Sequence, residues 1–269
     1  MMARMNGTVP EVKPVGPLLR RWREQRGLTQ LGLALQAEVS TRHLSFVETG
    51  RSVPSREMIL HLCEHLDLTL RDRNEMLLAA GYAPLYAETP LDTPPMHAVR
   101  ETIRVVLRAQ EPSPAAVVDR KWNLVEANAA ISIFMRDVAP ELLEPPVNVL
   151  RASLHPRGMA QHTVNLGEWR AHLLGRLRRQ IAASADRDLR VLYDELASYP
   201  CEDATSELDL AGGTIAVPLR IRHGARELAF LSTVTTFGTP LDITVQELAI
   251  ESFFPADAET AEFLRSASG

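Results

Sequence analysis

The chain has 269 residues, 45% of them hydrophobic and 23% charged, with a formal net charge of −5. That apolar fraction builds a packed core and that length has room for two domains, which sets aside a disordered or low-complexity protein. No apolar run reaches bilayer length, Met1–Pro10 lacks a signal-peptide core, and Cys63 and Cys201 stand at no zinc or redox spacing; the expectation is a cytoplasmic protein with reduced thiols and no membrane partner.

The charge is unevenly spread. From Lys13 to Arg56 eight Lys/Arg face three Asp/Glu, a local balance of +5, whereas from Ala87 onward 18 face 25, a balance of −7. A basic front and an acidic back suggest that only the front meets a polyanion.

In chain order, Pro17 sits in the first turn of a helix with Leu18, Leu19 and Trp22 on one side, ending near Gly27. Thr29 N-caps a second helix carrying Leu33, Ala34 and Leu35, and after the turn Ala37-Glu38-Val39, Ser40 caps a third with Leu44 and Val47 inward. Glu48-Thr49-Gly50 ends it. Ser55 caps a fourth helix with Ile59, Leu62, Cys63 and Leu66 at helical spacing, and Leu70–Ala80 forms a fifth, stopped by Gly81 and Pro84.

The second and third helices have the proportions of a helix-turn-helix. A recognition helix of this kind presents polar, hydrogen-bonding residues to the major groove, and with Leu44 and Val47 inside the outward set is Thr41, Arg42, Ser45 and Phe46. Arg42 suits a bidentate contact to guanine, Phe46 a thymine methyl, and Gln30 and Arg51 flank the helix where phosphates run; Thr29 and His43 complete the candidate DNA-binding residues. A helical bundle that binds protein instead of DNA is the competing reading, and the basic footprint disfavours it.

Leu28-Thr29-Gln30, Leu33-Ala34, Val39-Ser40, Leu44, Glu48-Thr49-Gly50 and Pro54 resemble the XRE family, the DNA-binding domain of phage repressors and Cro, from Val15 to about Gly81. The resemblance implies a salt bridge from the first helix to the end of the recognition helix, here Arg23 to Glu48. It also marks departures: Glu38 stands where the family usually has a glycine in the turn, and Leu31 and Gly32 where it has polar helix formers. A left-handed residue with a side chain costs about 1 kcal/mol or more.

Pro84, Pro90, Pro94 and Pro95 mark a linker. A helix follows with Val99, Ile103, Val106 and Leu107 on one stripe, ending at Glu111-Pro112. Ala115–Asp119 and Trp122–Ala127 read as strands turning at Arg120-Lys121, and Asn128 caps a short helix with Ile131, Phe134 and Met135. Leu166–Ala183 is a long amphipathic helix, and Asp188–Ser198 a second. Thr214–Arg222, Leu228–Phe237 and Ile243–Phe254 read as three closing strands, giving a PAS-like antiparallel sheet with helices on one side.

Val117 to Asn128, Leu154-His155-Pro156-Arg157-Gly158, Asn165 to Trp169, Asp194 to Pro200, and Thr236 to Asp242 are similar to the MmyB-like ligand-binding domain, from Val99 to about Arg265. That resemblance implies a PAS-like fold able to hold an apolar, fatty-acid-like molecule. Candidate ligand-binding residues are Trp122, Phe134, Leu154, His155, Met159, Trp169, Arg170, Leu173, Phe230 and Phe237, with His155, His162 or Arg170 available for a headgroup. Each large apolar residue taken alone fits plain core better, and each headgroup candidate taken alone fits an ordinary surface or structural role better.

Catalysis finds no signature: Ser232 and Thr233 have no nucleophile elbow, no GxGxxG or P-loop occurs, and His155, His162, His172 and Cys201 match no metal spacing. No catalytic residue, metal or cofactor is expected. The sequence thus predicts an all-α five-helix, lambda-repressor-like helix-turn-helix domain over 14–83, a linker over 84–95, and an α/β PAS-like domain over 96–269. The expected function is a homodimeric transcription regulator that binds double-stranded DNA and an apolar ligand. In the alternative, the back domain only dimerises or binds a protein partner.

Overall fold

The computed structural model describes residues 14–184, 186–201 and 216–267. It divides into two compact units. The first runs to Thr89 and takes in Pro240–Gln246; the second is Pro90–Thr239 with Glu247 onward.

In the first unit, helices α1 (Val15–Gln25), α2 (Gln30–Gln36), α3 (Thr41–Glu48), α4 (Arg56–His65) and α5 (Leu70–Ala79) are set by their caps. The side chains of Thr29, Ser40, Ser55 and Thr69 accept hydrogen bonds from the backbone N–H groups of Gly32, His43, Met58 and Asp72. Such caps contribute about 1 kcal/mol each. Trp22, Leu33, Leu44, Ile59, Leu62 and Met76 close one apolar core. Glu38 adopts φ 52°, the left-handed turn expected between α2 and α3. Gly16 is required by packing, since a Cβ there would lie 2.5 Å from the Val47 carbonyl oxygen and 2.6 Å from that of Glu48.

The segment after α5 is tied down by Asn74, whose Oδ1 accepts from the Leu85 and Tyr86 N–H groups while Nδ2 donates to the Tyr86 carbonyl. Pro240–Gln246 completes the unit. Gln246 Oε1 accepts from the Leu70 N–H at the start of α5 at 2.7 Å, the Asp242 carboxylate accepts from the Thr89 N–H and hydroxyl, and the Ile243 N–H donates to the Ala87 carbonyl.

The second unit opens with α6 (His97–Ala109), β1 (Ala115–Val118), β2 (Leu124–Ala127), α7 (Ser132–Met135) and α8 (Val149–Leu154). It continues with α9 (Leu166–Ser184), α10 (Arg187–Ser198), β3 (Leu219–His223) and β4 (Arg226–Thr236). After α11 (Ile243–Gln246), which belongs to the first unit, β5 (Ala249–Pro255) and α12 (Ala258–Ala267) follow. Among the described residues the strands form one curled antiparallel sheet in the order β2-β1-β5-β4-β3.

Register divides the side chains of this sheet. Ala115 and Val117 pair with Ser252 and Ile250, and Val117 and Ile250 pack with Ile103 and Leu107 of α6. Val118, Leu219, Ile221 and Phe230 face a larger core with Trp169, Leu173 and Leu177 of α9. Helices therefore cover both faces at β1, where one covered face was expected. β1 is buried along its whole length for this reason.

Four local expectations change. Trp122 is not in a strand: it has φ 67°, and Asp119 Oδ1 accepts from the Lys121 and Asn123 N–H groups, so a side-chain-held turn delays β2 to Leu124. Asn128 stands at the N-cap of the short helical turn Ala129–Ile131, but its side chain makes no cap bond; its Oδ1 accepts from the Ala115 N–H and its Nδ2 donates to the Ser113 carbonyl, fastening β1. The strand expected over Thr214–Arg222 starts at Leu219, after Pro218, which has no N–H to give a ladder; Thr214 and Ile215 lie outside the described residues. The strand expected from Ile243 starts at Ala249, because Asp242 Oδ1 accepts from the Thr244 N–H at 2.8 Å and begins the turn α11.

Candidate nucleic-acid interface and ligand cavity

Helix α3 is held from beneath by a charged hub. Arg23 Nε and Nη2 donate to Glu48 Oε1 and Oε2 at 2.6 and 2.9 Å, and Arg23 Nη1 donates to the Leu28 carbonyl. Both side chains are buried. Gln30 Nε2 donates to Glu48 Oε2 at 2.8 Å, so this amide braces the hub where the sequence placed it beside phosphate. A short carboxylate-centred network of this kind fixes the orientation of α1, α2 and α3.

The opposite face of α3 is polar. Arg42 is exposed, as is Arg51 just beyond the helix, while Thr41, His43, Ser45 and Phe46 are half-buried. The guanidinium carbons of Arg42 and Arg51 lie 5.3 and 6.0 Å from the centroid of the Phe46 ring. The ring thus gathers two cations by its π-face and limits the directions they explore. The Thr29 hydroxyl is engaged as the α2 cap. Cys63 lies in the core behind, where burial pushes its thiol up to about 12 and leaves it unreactive.

In the second unit an apolar cavity of about 60 Å³ is lined from the sheet and from α7, α8 and α9. Of the ten candidate residues it brings together Trp122, Phe134, Met159, Trp169 and Leu173. Leu154 and Phe230 belong to the surrounding core, Phe230 stacking edge-on against Phe134 at 5.2 Å. Phe237 packs on the other face of the sheet with Val99, Val106 and Ile250, one residue out of phase with Phe230. His155 Nδ1 accepts from the Arg157 N–H, its ring meets Tyr199 edge-on, and Arg170 Nη2 donates to the Ala197 carbonyl, so neither reaches the cavity.

Ala116, Leu219, Glu251 and Phe253 of the strands are among the other lining residues and were missed. Strand alternation marks such residues only once the register is known. Glu251 is the buried charge among them. Arg176 Nη2 and Nη1 donate to its two oxygens at 2.7 and 3.1 Å, and the Arg176 guanidinium lies 4.8 Å from the Trp122 ring centroid. Trp122 Nε1 donates to Gln180 Oε1 and Trp169 Nε1 to Ser153 Oγ, so both indoles present carbon to the cavity.

His172 stacks on Trp169 at 5.3 Å. Burial, then the Arg176 and Arg179 charges, hold its imidazole below the ordinary value. The unfolded chain therefore takes up this proton first as pH falls below about 6.5. Stability of the second unit should fall below that pH, and His172→Phe should flatten the slope, read by urea titrations at pH 7.5 and 5.5. An unchanged slope would show that His172 does not carry the effect.

No group of three His, Cys, Asp or Glu is placed to hold a metal ion among the described residues, and none of their helices is long and apolar enough to cross a membrane. Residues 99–267 match the family model described as MmyB-like transcription regulator ligand binding domain, and residues 15–76 match a helix-turn-helix domain. No curated protein matches the chain.

Proposed function

Since the chain belongs to the family of the MmyB-like transcription regulator ligand binding domain and carries a helix-turn-helix domain ahead of it, we propose that it is a non-enzymatic transcription regulator. In this reading α3 reads operator DNA in a homodimer and the second unit binds an apolar molecule of fatty-acid type. The observation that supports it best is the pairing, in one chain, of the Arg42–Phe46–Arg51 face with an apolar-lined cavity between sheet and helices. A two-fold dimer places two such helices about 34 Å apart, one turn of duplex.

Arg42 supplies base readout and Arg51 phosphate contact. Arg42→Ala should weaken binding to the cognate site by about 1–3 kcal/mol and leave random DNA nearly unaffected, measured by anisotropy at fixed salt. An equal loss on both would make Arg42 a phosphate contact.

Ligand control requires that the ligand prefer one of two DNA-binding states. The cavity of about 60 Å³ is well below the roughly 150 Å³ that takes a benzene ring, so a long chain enters only as side chains move. That movement supplies a state difference. The same small volume favours a second reading, in which the unit only dimerises. Native mass spectrometry separates them: a co-purifying lipid supports the sensor, and a bare mass with no thermal shift from long-chain acids supports the dimeriser.

A further inference from the structure

We propose that the head of the ligand, a carboxylate or phosphate, is held by Arg136, Arg222, His162 and His223, with its tail passing Phe134 and Met159 into the apolar cavity. This rests on the reading of the second unit as a binder of apolar molecules and adds the polar end of the site.

Beside the apolar cavity lies a chamber of about 310 Å³, and the two share Phe134 and Met159 as common wall. Ile133 and Ile221 extend the chamber's apolar side, and nitrogen-bearing side chains gather on the other. Arg136, His162, Arg222 and His223 line it against one carboxylate, Asp137. Asp137 cannot saturate them: its Oδ2 stands 3.5 Å from Arg136 Nε and 3.6 Å from His162 Nε2, both longer than a good hydrogen bond. His162 Nε2 is shielded from solvent and has no hydrogen-bond partner among the described residues.

Arg136 Nη1 comes within 3.3 Å of His223 Nε2, and the His223 ring rests against Phe263 of α12 at 4.9 Å. Arg136 has only donors, so Nη1 donates to an unprotonated Nε2, and the remaining Arg136 N–H groups are left for an oxyanion. Asp137 itself has φ 60°, a left-handed conformation for a residue with a side chain, so the α7 exit that carries Arg136 is held against local preference. The guanidinium beside the apolar cavity, Arg176, is already taken on two nitrogens by Glu251, whereas Arg136 and Arg222 are exposed. The open side of the chamber is therefore where an anion finds unsatisfied donors, since the charges of Arg176 and Glu251 at the apolar cavity neutralise each other.

The test uses the full chain with decanoate, decyl phosphate, 1-decanol and inorganic phosphate, followed by calorimetric titration. Decanoate or decyl phosphate should bind roughly tenfold more tightly than decanol, and the more tightly bound of the two identifies the head. Arg136→Gln/Arg222→Gln should bring the acid down to the alcohol while leaving the alcohol unchanged, which also shows that the variant is folded. Equal binding of acid and alcohol by the unaltered protein, or a preference that survives the double substitution, overturns the proposal while the apolar reading stands. Inorganic phosphate binding as tightly as decyl phosphate overturns the amphiphile in favour of a free anion. Binding of none of the four overturns the ligand-binding reading, and this assignment with it.

Discussion

Glu48→Ala should cost the helical unit about 3–5 kcal/mol, because it strands the Arg23 guanidinium in the core with no counter-charge. The side chains of Arg23 and Glu48 are only 9% and 2% exposed, so solvent does little to screen the loss. Gln30 loses its acceptor at the same stroke. Arg23→Met/Glu48→Leu should recover most of the stability, since removing both charges leaves no buried ion behind. Hydrogen exchange of the α1 and α3 amides reads the difference directly. A single-variant loss under about 1 kcal/mol would show that water reaches the pair and that its role is confined to orientation.

Phe134→Ala should destabilise the second unit by a similar amount, about 3–5 kcal/mol, through lost contacts and the void left behind. The ring is 4% exposed and meets Phe230 and Phe253 edge-on at 5.2 and 4.9 Å. It is also part of the wall between the polar chamber and the apolar cavity, so its removal joins them. Benzene and decanoate should therefore raise the melting temperature of the variant more than that of the parent protein. A melting temperature unchanged by the substitution would mean that the neighbours close over the gap and that Phe134 does not separate the two spaces.

The helical unit was readable because its information is local. A hydroxyl residue stands at each cap from α2 to α5, and Gly27, Gly50 and Gly81 take positive φ at helix ends. The second unit stores its information at longer range. Nothing within a few residues of Asn128 indicates that its side chain will bind β1 instead of capping a helix. Trp122 and Ile243 read as strand by side-chain type, yet Asp119 and Asp242 divert the backbone through hydrogen bonds of their own.

The cavity shows the same limit. Trp169 and Leu173, which line it, repeat at helical spacing, whereas Phe237 lies with a different cluster, because strand parity fixes a face only after pairing is known. Arg136 and His223 are 87 positions apart and meet only when α7 comes to rest beside the end of β3. Helix α12, which supports His223 through Phe263, was not anticipated either.

Because residues 240–246 fold with the helical unit, a gene fragment stopping at Thr89 would encode a DNA-reading head that lacks part of its own fold. The backbone passes between the two bodies at 89/90, 239/240 and 246/247. Two of those crossings follow β4 and precede β5, so the segment that meets the first turn of α5 through Gln246 is continuous backbone with two paired strands. A cut in the proline-rich strap alone would therefore leave this piece of the first unit attached to the sheet.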